Sequence, residues 1–184
     1  MYTEKVANNI FKIKADSNVY FLDFKEKIVV DTGSDSYKGI VRKGLSRLVD
    51  LDKIKKVIFT HLHYDHTGNP DLFRNAKFFA SSGEIEDFRK DPKGASVDYG
   101  NKLSVELSPL GKLEGFKIIN TPGHTRGSIC LLYIKEKILF SGDTLFYNGI
   151  GRTDLPTSAP ELMKESLDKI KKIGYKVLCP GHEY

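Results

Sequence analysis

Five histidines, His61, His63, His66, His124 and His182, are the residues of this 184-residue sequence best suited to do chemistry, and three of them fall within Thr60-His-Leu-His-Tyr-Asp-His66. With this composition an H-x-H-x-D-H run arises by chance in roughly 3 of 10,000 such chains. Imidazole and carboxylate without thiolate suit zinc first, with iron and manganese as alternatives. Val57-Ile-Phe59 reads as a strand that runs straight into His61. His61 and His63, two residues apart in extended backbone, then turn their rings to one side and can hold one ion together. Asp65 and His66 lie where the chain bends toward the next helix, so their side chains can diverge to a second ion. Sites of this kind hold two ions about 3.5–4 Å apart with a water clamped between them.

The remaining candidates occupy similar places. His124 lies in Thr121-Pro-Gly-His-Thr125 and His182 in Pro180-Gly-His182, each in a turn after an apolar strand, and Asp143 follows Ile138-Leu-Phe140 in the same way. A glycine precedes each of the three, which admits close backbone approach where a bulkier residue would crowd an ion. Taken singly, each would read as an ordinary turn residue. Together the four strand-end clusters supply six or seven ligand side chains, enough for two ions with room left for solvent.

The elements that must position these groups are legible along the chain. Alternating or continuous apolar runs predict strands at Ile10–Lys14, Val19–Asp23, Lys27–Val30, Val57–Phe59, Lys77–Ala80, Phe116–Ile119, Ser128–Tyr133, Ile138–Phe140 and Lys176–Cys179. Ser34-Asp-Ser36 is placed to cap a helix with its apolar face on Val41, Leu45 and Leu48. A short helix is expected around Pro70 to Asn75, another near Glu84 to Lys90, and a loop from Asp91 to Gly100. Ser158-x-x-Glu161 matches a capping box before a last helix with Met163, Leu167 and Ile170 on its face and Gly174 at its end.

Composition bounds the class. Apolar residues make up 40% and charged residues 29%, the balance of a globular protein and not of a disordered one, and the length suits a single domain over residues 1–184. No apolar run approaches the ~20 residues of a membrane helix, and no apolar signal core follows Met1-Tyr-Thr-Glu-Lys5, so a cytoplasmic protein without membrane attachment is expected. Cys130 and Cys179 could form at most one bridge. The net charge of +5 comes from scattered lysines rather than a basic block, so nucleic acid is not the expected partner. Nothing in the sequence fixes an oligomeric state.

The chain resembles the metallo-β-lactamase superfamily, whose hallmark is H-x-H-x-D-H at a strand end followed by a later His, Asp and His, and the likeness runs from Asp31-Thr-Gly33 to Gly181-His182. The resemblance implies an α+β fold, an αββα sandwich of two mixed β-sheets flanked by helices with the metals at one edge. It also implies a ligand set. His61, His63 and His124 would bind the first ion and Asp65, His66 and His182 the second, with Asp143 bridging; Asp31 would orient a ligand histidine or the backbone near it. No cysteine stands at a ligand position, unlike the true lactamases, and no glutamate replaces His63, unlike the di-iron flavoproteins of the superfamily.

Within the superfamily, Gly142-Asp-Thr-Leu-Phe146, Gly149-Ile-Gly-Arg152 and Gly181-His-Glu-Tyr184 look like the hydroxyacylglutathione hydrolases (glyoxalase II). The resemblance therefore implies a dinuclear metal-dependent hydrolase of a small-molecule thioester, in which a metal-bridging hydroxide attacks the carbonyl, Asp65 and Asp143 serve catalysis, and Arg152 binds a substrate carboxylate. Leu155 stands near the place of that family's substrate-contacting tyrosine, and its C-terminal helical domain has no counterpart before Tyr184, so the expected carrier is a small thiol rather than glutathione in particular. Gly151-Arg-Thr-Asp-Leu-Pro156 looks instead like the persulfide dioxygenases of the same fold, which would hold one iron with His61, His124 and Asp143. A nuclease or nucleic-acid binder on this fold is the third reading. For Arg152 the plain alternative is a structural ion pair within its loop.

Overall fold

The computed structural model describes residues 2–97 and 103–183. The chain opens with four antiparallel strands, β1 (Thr3–Ala7), β2 (Ile10–Ile13), β3 (Val19–Asp23) and β4 (Lys27–Val30). Helix α1 (Lys38–Ser46) then returns the chain to β5 (Ile54–Ile58), parallel to β4. A one-turn helix α2 (Tyr64–Thr67) precedes β6 (Lys77–Ala80), and α3 (Ser82–Lys90) and α4 (Pro92–Ser96) precede β7 (Leu107–Pro109). Both of these strands extend the sheet in parallel, which gives seven strands in sequential order. The second sheet holds β8 (Phe116–Asn120), β9 (Ile129–Tyr133) and β10 (Ile138–Gly142), antiparallel, and after α5 (Pro160–Ile173) the last strand β11 (Val177–Pro180) pairs parallel to β10.

Strands buried on both faces explain the layering. In β3, Val19 and Phe21 pack with Val41 and Leu45 of α1 and Ile85 of α3, while Tyr20 and Leu22 face the other sheet. In β9, Ile129 and Leu131 meet that same inter-sheet core, while Cys130 and Leu132 pack with Ile170 of α5. The two-residue alternation thus sorts one continuous apolar run onto two cores, and helix, sheet, sheet and helix stack in that order. The fold is the αββα sandwich, α+β in class, with two mixed sheets. Each fully buried aliphatic or aromatic side chain contributes about 1.5–3 kcal/mol of burial, so the sandwich is held mainly by these three apolar layers.

Local capping departs from expectation in three places. Ser34 makes no side-chain cap; a 3₁₀ turn at Asp35–Tyr37 intervenes and α1 starts at Lys38. Ser158 does not cap α5, because its Oγ donates to the His124 carbonyl and accepts from the Leu155 amide, which leaves Ala159 at the helix start. The loop expected over Asp91 to Gly100 contains α4, capped by the Asp91 side chain accepting from the Gly94 amide; residues 98–100 of that stretch lie outside the described residues. The short helix around Pro70 is a 3₁₀ turn, Pro70–Leu72.

Cys130 and Cys179 are unpaired and buried. Burial pushes the Cys130 thiol up to about 11 and the Cys179 thiol up to about 12. At pH 8 the native thiolate fraction is then about one in a thousand or less. Native protein is expected to leave a disulfide-exchange reagent unconsumed at that pH, whereas protein in denaturant consumes two equivalents. No helix among the described residues is long and apolar enough to cross a membrane.

Candidate metal centre

Every predicted ligand follows the end of a strand, in the turn after it or in the one-turn helix α2. β5 releases the chain at Phe59, and Thr60, His61 and His63 follow it to the start of α2, which carries Asp65 and His66. β8 leads to His124, β10 to Asp143 and β11 to His182. Because β5 belongs to one sheet and β8, β10 and β11 to the other, the centre forms across the edge where both sheets end.

The structure brings all seven side chains together. Ligand atoms of His61, His63 and His124 lie within 4.8 Å of one another, and so do those of Asp65, His66 and His182. Asp143 stands between the two groups. Its Oδ1 is 3.2 Å from His66 Nε2, and its Oδ2 is 3.5 Å from His124 Nε2 and 3.4 Å from His182 Nε2. Asp65 Oδ2 lies 3.2 Å from His182 Nε2.

The outward nitrogens are anchored on acceptors. His66 Nδ1 sits 2.9 Å from Asp31 Oδ2, His124 Nδ1 donates to the Arg152 carbonyl at 2.7 Å, and His182 Nδ1 donates to the Asp16 carbonyl at 2.7 Å. With Nδ1 as the donor, each ring turns Nε2 toward the centre, the arrangement in which an imidazole is fixed as a metal ligand once Nε2 carries no proton. Asp31 also accepts from the Thr60 amide and hydroxyl, both at 2.8 Å, so it holds the backbone before His61 as well as the ring of His66. It does this from a left-handed conformation (φ 57°), which a short polar side chain tolerates.

Orphaned polar atoms test whether the site fits a cation. His61 Nε2, His63 Nε2, His66 Nε2 and Asp143 Oδ1 are buried and make no hydrogen bond. Buried groups of this kind almost always have a partner, and three of the four belong to His61, His66 and Asp143, whose ligand atoms lie within 4.8 Å of one another, while His63 turns its Nδ1 to within 2.9 Å of His124 Nε2; the arrangement fits ions coordinated there. The electrostatics agree. Burial first, and then the neighbouring imidazoles, holds His61 well below its ordinary range and His63 at about 3, and burial also lowers His124, so this trio is neutral and has lone pairs to offer. For His66 and His182 burial acts downward, but the carboxylates outweigh it. Asp143, Asp65 and Asp31 raise His66 well above its usual range, and Asp143 and Asp65 raise His182 to about 9. Protons there balance the carboxylates, the same charge an ion would supply.

The glycines before the ligands act in different ways. A side chain at Gly142, which has φ +49°, would meet Thr60 Oγ1 at 2.5 Å, so this glycine lets β10 come close to the His61 loop. Gly123 makes room for Met163 of α5, 2.9 Å from its Cβ position, and is a packing feature rather than an approach to an ion.

Above the centre lies a cavity of about 470 Å³ with Tyr64, Val97, Phe146, Ile150 and Leu155 on its walls and Arg152 at its mouth. Arg152 is exposed, and its guanidinium pairs with both oxygens of Asp154 at 2.7 and 2.8 Å. The ion pair is the plain reading of this residue, and its carbonyl on His124 ties the same loop to the centre.

One residue at the site has no signature in the histidine pattern. Glu84, buried at 2% exposure in the first turn of α3, accepts from the Leu62 amide at 2.8 Å and the Thr125 hydroxyl at 2.5 Å. Its carboxyl is pushed up to about 7 by burial, against the pull of those hydrogen bonds. The signal available was Ser81-x-x-Glu84, a capping box of which only half forms: Ser81 Oγ accepts from the Glu84 amide while the glutamate side chain turns inward.

The sequence model of a family described as the metallo-beta-lactamase superfamily matches residues 14–182. A probable metallo-hydrolase of Methanocaldococcus jannaschii is 34% identical, over 90% of this chain and 87% of the relative. A hydroxyacylglutathione hydrolase of Salmonella typhi is 37% identical over 70% of this chain, which corresponds to 47% of that enzyme, so the match spans about half its length. Among solved structures, a metallo-beta-lactamase family protein of Thermus thermophilus superposes with a TM-score of 0.81 at 19% identity, covering 98% of this chain and 75% of that one.

Proposed function

We propose that this chain, which belongs to the metallo-beta-lactamase superfamily, is a dinuclear metal-dependent hydrolase of small-molecule thioesters. The observation that carries the reading is the placement of Asp143 between two three-ligand groups on the floor of an open cavity. The partial match to a hydroxyacylglutathione hydrolase supports the thioester. Two ions there, zinc first and iron or manganese as alternatives, would supply a water acidic enough to attack near neutral pH and a positive charge for the developing oxyanion.

The chain's own groups do the rest. Asp65 has the most exposed side chain among the seven, at 20%, and its carboxylate can accept a proton from an attacking water while His182 keeps it ionised. Burial works against that ionisation, but the charge on His66 and the His182 hydrogen bond outweigh it. Val97, Phe146, Ile150 and Leu155 give the acyl and thiol groups apolar walls. Arg152 pairs with Asp154 through Nε and one Nη, so it can orient a substrate carboxylate with its remaining N–H groups or by exchanging partners, in either case through an exposed pair of modest strength. Arg152→Ala should therefore raise KM for a carboxylate-bearing thioester by about three- to tenfold and leave kcat nearly unchanged. An equal loss in kcat would place Arg152 in the chemical step instead.

The reading is tested by free-thiol release from a panel of thioesters in the absence of oxygen, with zinc or iron added. Metal-dependent release from at least one thioester is expected. No release on any of them, together with oxygen uptake by the iron-loaded protein on a persulfide, would replace the hydrolase by the dioxygenase.

A further inference from the structure

We propose that Glu84 is the positioning residue of the His61–His63–His124 group: one buried carboxylate that clamps together the two loops carrying these ligands. The inference rests on the reading that this group binds metal. Leu62, whose amide Glu84 accepts, lies between His61 and His63, and Thr125, whose hydroxyl it also accepts, directly follows His124. The Gly127 backbone is packed against the same carboxylate. The two loops belong to opposite sheets and are far apart in sequence, so Glu84 spans them at the point where their histidines must meet.

The neighbourhood is built for this. Ser81 Oγ donates to the Gly127 carbonyl at 2.6 Å, and a Cβ at Gly83 would sit 3.1 Å from Gly127 Cα, so the start of α3 is pressed directly on the His124 loop. The acidic neighbour of Glu84, Asp87, is held by Arg126 and points its charge away into that pair. A carboxylate buried without a cation against it needs a reason, because ordinary packing is served as well by an apolar side chain. Two donors arriving from two loops on separate oxygens supply one, since only a carboxylate presents acceptors on both of its oxygens.

Glu84→Gln keeps the shape but sets an NH₂ group against one of these donors. Groups that orient metal ligands in this way change metal affinity by about ten- to a hundredfold when replaced. The test is cobalt(II) titration of the metal-free protein, read by its visible absorption and by equilibrium dialysis, for wild type, Glu84→Gln and Ser81→Ala. Ser81→Ala removes the cap of the same helix and its bond to Gly127 while leaving the carboxylate in place. The expected result is a ten- to hundredfold weaker first cobalt site with an altered absorption band in Glu84→Gln. Ser81→Ala should melt at a lower temperature yet bind within about threefold of wild type. Should Glu84→Gln not fold, Thr125→Val removes one donor and is expected to weaken the first site by about three- to tenfold. Unchanged affinity and spectrum in the variant that folds, or an equal loss in Ser81→Ala, would overturn the role of Glu84 while leaving the metal reading intact. Wild-type protein that takes up no cobalt would sink both.

Discussion

Asp143→Ala is expected to lower thioester turnover by about a hundred- to a thousandfold and to leave the protein unable to retain two ions through dialysis. Asp143 lies within 3.5 Å of a nitrogen from both ligand groups, through His66 and His182 on one side and His124 on the other. Burial alone would make its carboxyl hard to ionise. The charge on His66 and the hydrogen bond from His182 overcome that and hold it well below the usual carboxylate range, so it stays anionic. Alanine removes that charge and strands two histidines whose protonation it sustains. Breaking a buried ionic pair from one side typically costs about 3–5 kcal/mol, so the metal-free variant should also unfold at lower denaturant. Elemental analysis after dialysis, paired with a urea titration, checks both parts. Two retained ions with normal turnover would remove Asp143 from the centre.

Gly181→Ala should be nearly as damaging although it alters no ligand. An added Cβ would lie well inside contact distance of Asp143 Oδ1 and 2.8 Å from His66 Cε1. The backbone has no freedom to retreat. Gly181 donates its amide to the Gly142 carbonyl at 2.8 Å, and its own carbonyl accepts from the Asn18 amide at 2.6 Å. The clash must be relieved by moving Asp143 or His66, that is, by taking the centre apart. Overpacking of this kind costs about 1–3 kcal/mol of stability, and the ligand shift should add a loss in turnover of about a hundredfold or more. Gly39→Ala, with nothing within 4 Å of the new Cβ and a place in α1, is the control; it should leave metal binding alone and stabilise the helix by up to about 1 kcal/mol. Retained metal and turnover in Gly181→Ala would mean that the centre tolerates a displaced Asp143.

How much of this was legible depended on whether a feature is local. The strands buried on both faces announce themselves by continuous apolar runs, and β3 and β4 lie where the sequence puts them. The ligands follow, because each sits directly after such a run. Edge elements escape. β1 has no buried residue and carries two charged ones, and β7 is three residues long and ends in proline, so neither has an apolar period to read. α4 is too short for helical periodicity, and only its Asp91 cap and Pro92 betray it. Ser158 and Ser81 both begin an S-x-x-E pattern, yet only Ser81 caps a helix; His124 draws the Ser158 hydroxyl to its carbonyl, a contact 34 residues away. Glu84 is hidden for the same reason, since its partners lie 22 and 41 residues along the chain. The double use of Arg152, its carbonyl on His124 and its guanidinium on Asp154, likewise follows from how the loop folds back and not from its composition.

The most direct measurement is the rate of thiol release from the best thioester as metal is added back stepwise to metal-free protein, with oxygen excluded. A centre in which Asp143 joins two three-ligand groups predicts a rate that climbs to its maximum at two equivalents of metal per chain and falls to background when a chelator removes them. Full turnover with no metal bound, or no thiol released at any loading, would contradict the account.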